Sequence, residues 1–169
     1  MARFRNNAHI SELTGGGVAV TVAAHATNHT LLASITGPTN RKTAVRFRVW
    51  GRGISATGTH VRLSVRRGAD LALSSGSAIA LTAANGDVVK VNGNDAETSV
   101  FAATGLAGYS GQPTNQAEDN GSFVDQGTMH PQQEWVGATH VVNGGEVLSL
   151  WGITLTNAVA VDILMEVEE

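Results

Sequence analysis

The chain contains no cysteine. Structural disulfides, thiolate metal sites and cysteine nucleophiles are therefore excluded. A chain without thiols is also indifferent to the redox state of its compartment. Aromatic residues make up 5% and charged residues 15% of the sequence. That leaves little material for an aromatic binding platform. No apolar run is long enough to cross a bilayer, and no membrane partner is expected. Met1 to Ile10 has neither an apolar core nor a small-residue cleavage pattern, so no secretory signal is expected. Without one, Asn28-His29-Thr30 and Asn120-Gly121-Ser122 are chance matches to the glycosylation pattern. Acids are missing altogether from Leu13 to Ala69.

What is present points to β-structure. The 169 residues suit one domain, large enough to bury a core without covalent staples. Twenty are glycine, and Ala, Val, Thr, Ser and Asn are plentiful. Short strands joined by tight turns use these residues. Charge is unevenly spread around a net of −3. Eight of the eleven basic residues lie between Arg41 and Arg67. From Asp70 onward there are thirteen acids and one lysine, Lys90. The two regions either offer separate partners a docking end or neutralise each other within one sheet.

Residues 1–16 carry Arg3, Arg5, Asn6 and Asn7 and end in the Gly15-Gly16-Gly17 stretch. They are expected to form a flexible N-terminal arm and hinge, ordered by contact with something else. Residues 17–169 are expected to form the β domain. Strands are predicted at Val18–Ala24, Thr30–Ile35, Ala44–Trp50, His60–Arg66, Ser77–Thr82, Val88–Val91 and Thr98–Ala103. Others follow at Thr139–Val142, Glu146–Leu155 with a bend or bulge at Gly152, and Val159–Val167. Period-two alternation is clearest in three of them. Val45, Phe47 and Val49 alternate with Arg46 and Arg48. Val61, Leu63 and Val65 alternate with Arg62, Ser64 and Arg66. Val161, Ile163, Met165 and Val167 alternate with Asp162 and Glu166, with Leu164 as the exception. Asn85-Gly86 favours a hairpin between the strands on either side of it. The segment 105–135 breaks the rhythm and is expected to be a long loop, a common place for function. The fold class is all-β: an antiparallel β-sandwich or jelly roll of about 8–10 strands.

Signals of chemistry are weak. Gly15-Gly16-Gly17 is followed by Val-Ala, not the Lys-Ser/Thr pair that grips a phosphate. Gly108-Tyr109-Ser110-Gly111 lacks the second glycine spacing of a nucleophile elbow. His25 and His29 flank a turn, and no third ligand is evident. His9, His60, His130 and His140 are scattered and more simply structural. Glu118, Asp119 and Asp125 offer oxygen ligands beside Gly121, but not at calcium-loop spacing. Carboxylate pairs for glycoside hydrolysis can be drawn from these and Glu134, yet nothing singles out one pair. No catalytic residue, metal or cofactor is expected, and the chain is not predicted to be an enzyme.

The arginines are the sharpest feature. If the strands carrying Arg46, Arg48, Arg62 and Arg66 are neighbours, they form a basic patch, extended by Arg52 and Arg67. With Arg3 and Arg5 these are the candidate partner-binding residues. Nucleic acid is disfavoured by the negative net charge and the scarcity of stacking residues. An acidic protein surface suits the patch better. The bland alternative is cross-strand pairing with Asp162, Glu166 and Glu168. A possible ligand loop would use Tyr109, Glu118, Asp119, Asp125 and Trp135.

A cysteine-free sandwich of this composition with a short basic arm resembles the decoration, or cement, proteins of tailed bacteriophage capsids. Gly145 to Leu155 followed by Ala158 to Val167 is similar to the closing hairpin of such virion sandwiches. The resemblance implies a structural protein on the outer capsid surface of a virion, made in the host cytoplasm. It further implies that the protein binds the major capsid protein and itself, as a homotrimer, and stabilises the shell. The alternative class is a carbohydrate- or receptor-binding fibre module using loop 105–135.

Overall fold

A computed structural model describes residues 3–6, 20–22, 29–37, 42–52, 60–68, 77–81, 88–90, 102–107, 110–111, 116–117, 126–129, 133–154 and 157–168. Among the described residues every regular element is a strand. In chain order these are β1 (Arg3–Asn6), β2 (Val20–Val22), β3 (His29–Thr36), β4 (Thr43–Arg52), β5 (Val61–Gly68), β6 (Ser77–Leu81), β7 (Val88–Lys90) and β8 (Ala102–Ala107). There follow β9 (Ser110–Gly111), β10 (Gln116–Ala117), β11 (Gln126–Met129), β12 (Glu134–Val136), β13 (His140–Val142), β14 (Val147–Ile153) and β15 (Val159–Glu168).

The strands form two antiparallel sheets. Sheet I has the order β12-β4-β15-β1-β7, with β13 beside β12 on β4 and β2 beside β1 on β15. Sheet II has the order β10-β5-β14-β3-β8-β6, with β11 also on β5 and β9 also on β3. The pairs β1·β15, β3·β14, β4·β12 and β5·β11 are nested one inside the next. Successive members of this nest alternate between the sheets. A long hairpin rolled up in that way is a jelly roll, one form of antiparallel sandwich.

Alternation explains the core. Val45, Phe47 and Val49 of β4 are buried, as are Val61, Leu63 and Val65 of β5. They meet Val161, Ile163, Met165 and Val167 of β15 and Leu148 and Leu150 of β14 in one cluster between the sheets. On β3, Leu32 and Ala33 both join that cluster. The register of β14 against β3 shifts between Leu150 and Trp151, leaving Leu32 unpaired in the sequence of partners. A bulge of this kind turns two consecutive side chains toward one face. The extra residue belongs to β3, opposite Leu150 and Trp151, and not to Gly152 of β14, where the sequence suggested a bend or bulge. At Gly152 itself a Cβ would lie 3.1 Å from Leu32 Cδ1 and 3.2 Å from Val22 Cγ2, so the position is small because the core closes over it.

Four expectations are corrected. Arg3–Asn6 is a strand inside sheet I, paired with both β15 and β7, although the sequence suggests an arm; the rest of 1–16 lies outside the described residues. The segment 105–135 carries short strands that pair with β3, β5 and β4, which backbone hydrogen bonding permits without side-chain periodicity. β6 and β7 do not pair; β6 pairs with β8 in sheet II and β7 with β1 in sheet I. An Asn-Gly signal marks a reversal but does not choose the partner. For the same reason β14 and β15 are not a closing hairpin: they lie in opposite sheets.

Candidate functional site

Outward residues of sheet I form the best-defined polar face. Arg46 stands opposite Glu166, Arg48 opposite Leu164 and Trp50 opposite Asp162. Arg46 Nε and Nη2 donate to Glu166 Oε2 at 2.8 and 2.6 Å. Arg48 Nε donates to Glu134 Oε1 of β12 at 2.6 Å, and its Nη2 meets the same oxygen. Arg48 Nη1 also lies 3.9 Å from Glu166 Oε1. The Arg48 guanidinium sits 5.2 Å from the centre of the Trp50 ring, a cation–π distance. The charged side chains are 31–43% exposed, so each pair contributes only about 0–1 kcal/mol alone. Linked through shared partners, they hold one another in place. Arg3 and Arg5 of β1 take register positions opposite Glu168 and Glu166.

The single basic patch does not form. Arg46 and Arg48 belong to sheet I, whereas Arg62 and Arg66 belong to β5 in sheet II. Consecutive strands of a jelly roll pass from one sheet to the other, and this separates them. Arg62 is exposed and Arg66 half-buried. Arg67 turns inward at one end of the sandwich and does not extend any patch. Trp135 packs against the core, opposite Val49, and is no part of an open ligand loop. Tyr109, Glu118, Asp119 and Asp125 lie outside the described residues, as do His9, His25 and His130.

Two features escaped the sequence. The first is an apolar pair at the edge of sheet I. Val136 stands opposite Arg48 and Val141 opposite Ala44. Three residues, Gly137 to Thr139, face only Arg46 and Phe47 between those registers, and the Gly137 N–H donates to Phe47 O at 3.0 Å. The extra residue places both valines on the outer face. They are 50% and 49% exposed. Gly137 was the available signal, since glycine inside a strand pattern marks a bulge.

The second is a polar clamp at the end of the sandwich. Asn143 to Glu146 form a turn closed by Glu146 N–H to Asn143 O at 3.1 Å. Gly145 takes φ of 79° at its third position, which only glycine adopts freely. Glu146 Oε2 accepts from Asn143 N–H and Nδ2, each at 2.9 Å, and from Arg67 Nη1 at 3.0 Å. Arg67 Nη1 also donates to Val141 O at 2.6 Å, tying β5 of sheet II to β13 of sheet I. Gly37 donates to Glu146 O at 2.8 Å and accepts from Gly145 N–H at 3.0 Å. A Cβ on Gly37 would collide with the Asn143 carbonyl.

Partial burial pushes the Glu146 carboxyl up, but the Asn143 donors and the Arg67 charge outweigh it. The net result lies below the ordinary 4.5. A carboxyl depressed on folding adds stability above its unfolded value, and that stability is lost as pH falls through the folded value. Glu146→Gln is therefore expected to cost about 1 kcal/mol near neutral pH. The difference from the unsubstituted chain should shrink as pH drops below 4.5. Urea titrations across that range check it, and a pH-independent difference would remove the charge from the clamp's role.

Comparison with protein-family models, with curated proteins and with solved structures returned no match.

Proposed function

We propose that this chain is a structural binding protein that attaches to the outer surface of a bacteriophage capsid and stabilises it. Its partners in this reading are the major capsid protein and further copies of itself, with a trimer as the expected assembly. The role needs no catalytic group and no cofactor. One observation carries the reading: the outer face of sheet I sets two half-exposed valines at a sheet edge, beside the Arg46–Glu166 and Arg48–Glu134 ion pairs. Exposed apolar side chains next to polar groups already held in place are the material of a protein interface. The carbohydrate-binding alternative gains no support, because Trp135, the described member of its loop, is spent on the core.

The arginines change role in this reading. Arg46 and Arg48 already have carboxylate partners, so they orient the face and are not the main source of attraction. A particle-binding assay with Val136→Glu and Val141→Glu should therefore show a loss of at least about tenfold for the pair, since burying an unpaired charge costs more than 1.4 kcal/mol. Binding of the unsubstituted protein should depend little on salt. Undiminished binding by the double variant would overturn the docking face. A steep loss on adding salt would shift attraction back to the arginines.

A further inference from the structure

β1 and β2 lie end to end along the same edge of β15, both antiparallel to it. Arg5 is opposite Glu166 and Val20 is opposite Val161. Residues 162–165 of β15 separate those positions, a gap on the order of 17 Å at about 3.4 Å per strand residue. The chain that joins them is residues 6–19, with Gly15-Gly16-Gly17 near its end. Such a length reaches about 50 Å when extended. The connection is roughly three times longer than its own sheet requires.

The slot filled by β1 is specific. It lies between β15 and β7, with backbone pairing on both sides. Its register sets Arg3 against Glu168 and Arg5 against Glu166, and opposite charges in facing positions favour a cross-strand pair. Each interaction that holds β1 in its own slot is equally open to β1 of another copy. Exchange of an identical element between protomers therefore changes few contacts, and a connection of this length can reach a neighbouring slot as well as its own.

We propose that Arg3–Asn6 is an exchangeable strand, which in an assembly fills the slot between β15 and β7 of a second copy of this chain. The inference deepens the proposed self-association and rests on it. Copies held side by side on a particle surface would raise the effective concentration of the neighbouring strand.

The absence of cysteine makes the test clean. Residues facing each other in an antiparallel pair have Cα atoms about 4.5–5.5 Å apart, within disulfide range. A chain carrying both Arg5→Cys and Glu166→Cys, refolded at high concentration and oxidised, should give covalently joined chains on a non-reducing gel. Chains with Arg5→Cys alone, refolded with chains carrying Glu166→Cys alone, should form a joined pair whose disulfide maps to residues 5 and 166. This second arm does not depend on the double variant folding. Closure of the double variant only within single chains, with the mixed variants unjoined, overturns the exchange. Light scattering separates the two readings: an oligomer with intrachain closure leaves self-association standing and removes exchange alone. A monomer with intrachain closure removes both.

Discussion

Trp151→Ala should lower stability by about 3–5 kcal/mol, the range for emptying a buried tryptophan site. Trp151 is 1% exposed although it stands on β14 opposite Leu31 and Ser64, on the face of sheet II turned away from the main core. All seven residues of β14 are buried, so this central strand is packed on both faces. The indole N–H donates to Ser149 Oγ at 2.7 Å, and Ser149 Oγ donates to Arg66 O at 3.4 Å. Ser149→Ala removes this hydrogen bond to the indole and should cost about 0.5–1.5 kcal/mol, the net contribution of one such bond. Trp151→Phe should fall between the two, since it keeps most of the ring volume and leaves no orphaned N–H. Denaturant titrations of the three variants give the order directly. A Trp151→Ala effect under about 1 kcal/mol would mean that this face is not a packed layer.

Strand positions were legible wherever one face is buried and the other wet. β4, β5 and β15 follow from Val45-Phe47-Val49, Val61-Leu63-Val65 and Val161-Ile163-Met165-Val167, because a period of two has one physical cause. Partners were not legible. Arg46 and Arg62 sit on similar strands with similar patterns, and only the rolling of the hairpin sends them to different sheets. The Val61-Leu63-Val65 alternation does carry Arg67 to the inward face, but it gives no sign of the Val141 carbonyl that Arg67 reaches. The short strands between 105 and 135 are held by backbone pairing to longer neighbours, and backbone groups are the same in every residue. The charge asymmetry had two readings, and Glu166 and Glu134 against Arg46 and Arg48 support mutual neutralisation within sheet I.

Deletion of Met1–Asn6 should destabilise the fold by several kcal/mol, where an arm outside the sheet would be dispensable. β1 is an internal strand, and its removal unpairs one edge of β15 and leaves β7 without the neighbour it is hydrogen-bonded to. Each lost backbone hydrogen bond contributes about 0.5–1.5 kcal/mol net, against a total stability of roughly 5–15 kcal/mol for a domain. The acids at 166 and 168 also lose the arginines that face them in register, which adds a smaller, salt-sensitive part. The truncated chain should therefore unfold at a lower urea midpoint, and a synthetic peptide of residues 1–11 should raise that midpoint in proportion to its occupancy of the slot. The peptide with Arg3 and Arg5 replaced by Glu should rescue less, because like charges in facing positions repel. An unchanged midpoint on deletion would place Arg3–Asn6 outside the cooperative structure and would sink the exchange of that strand with it.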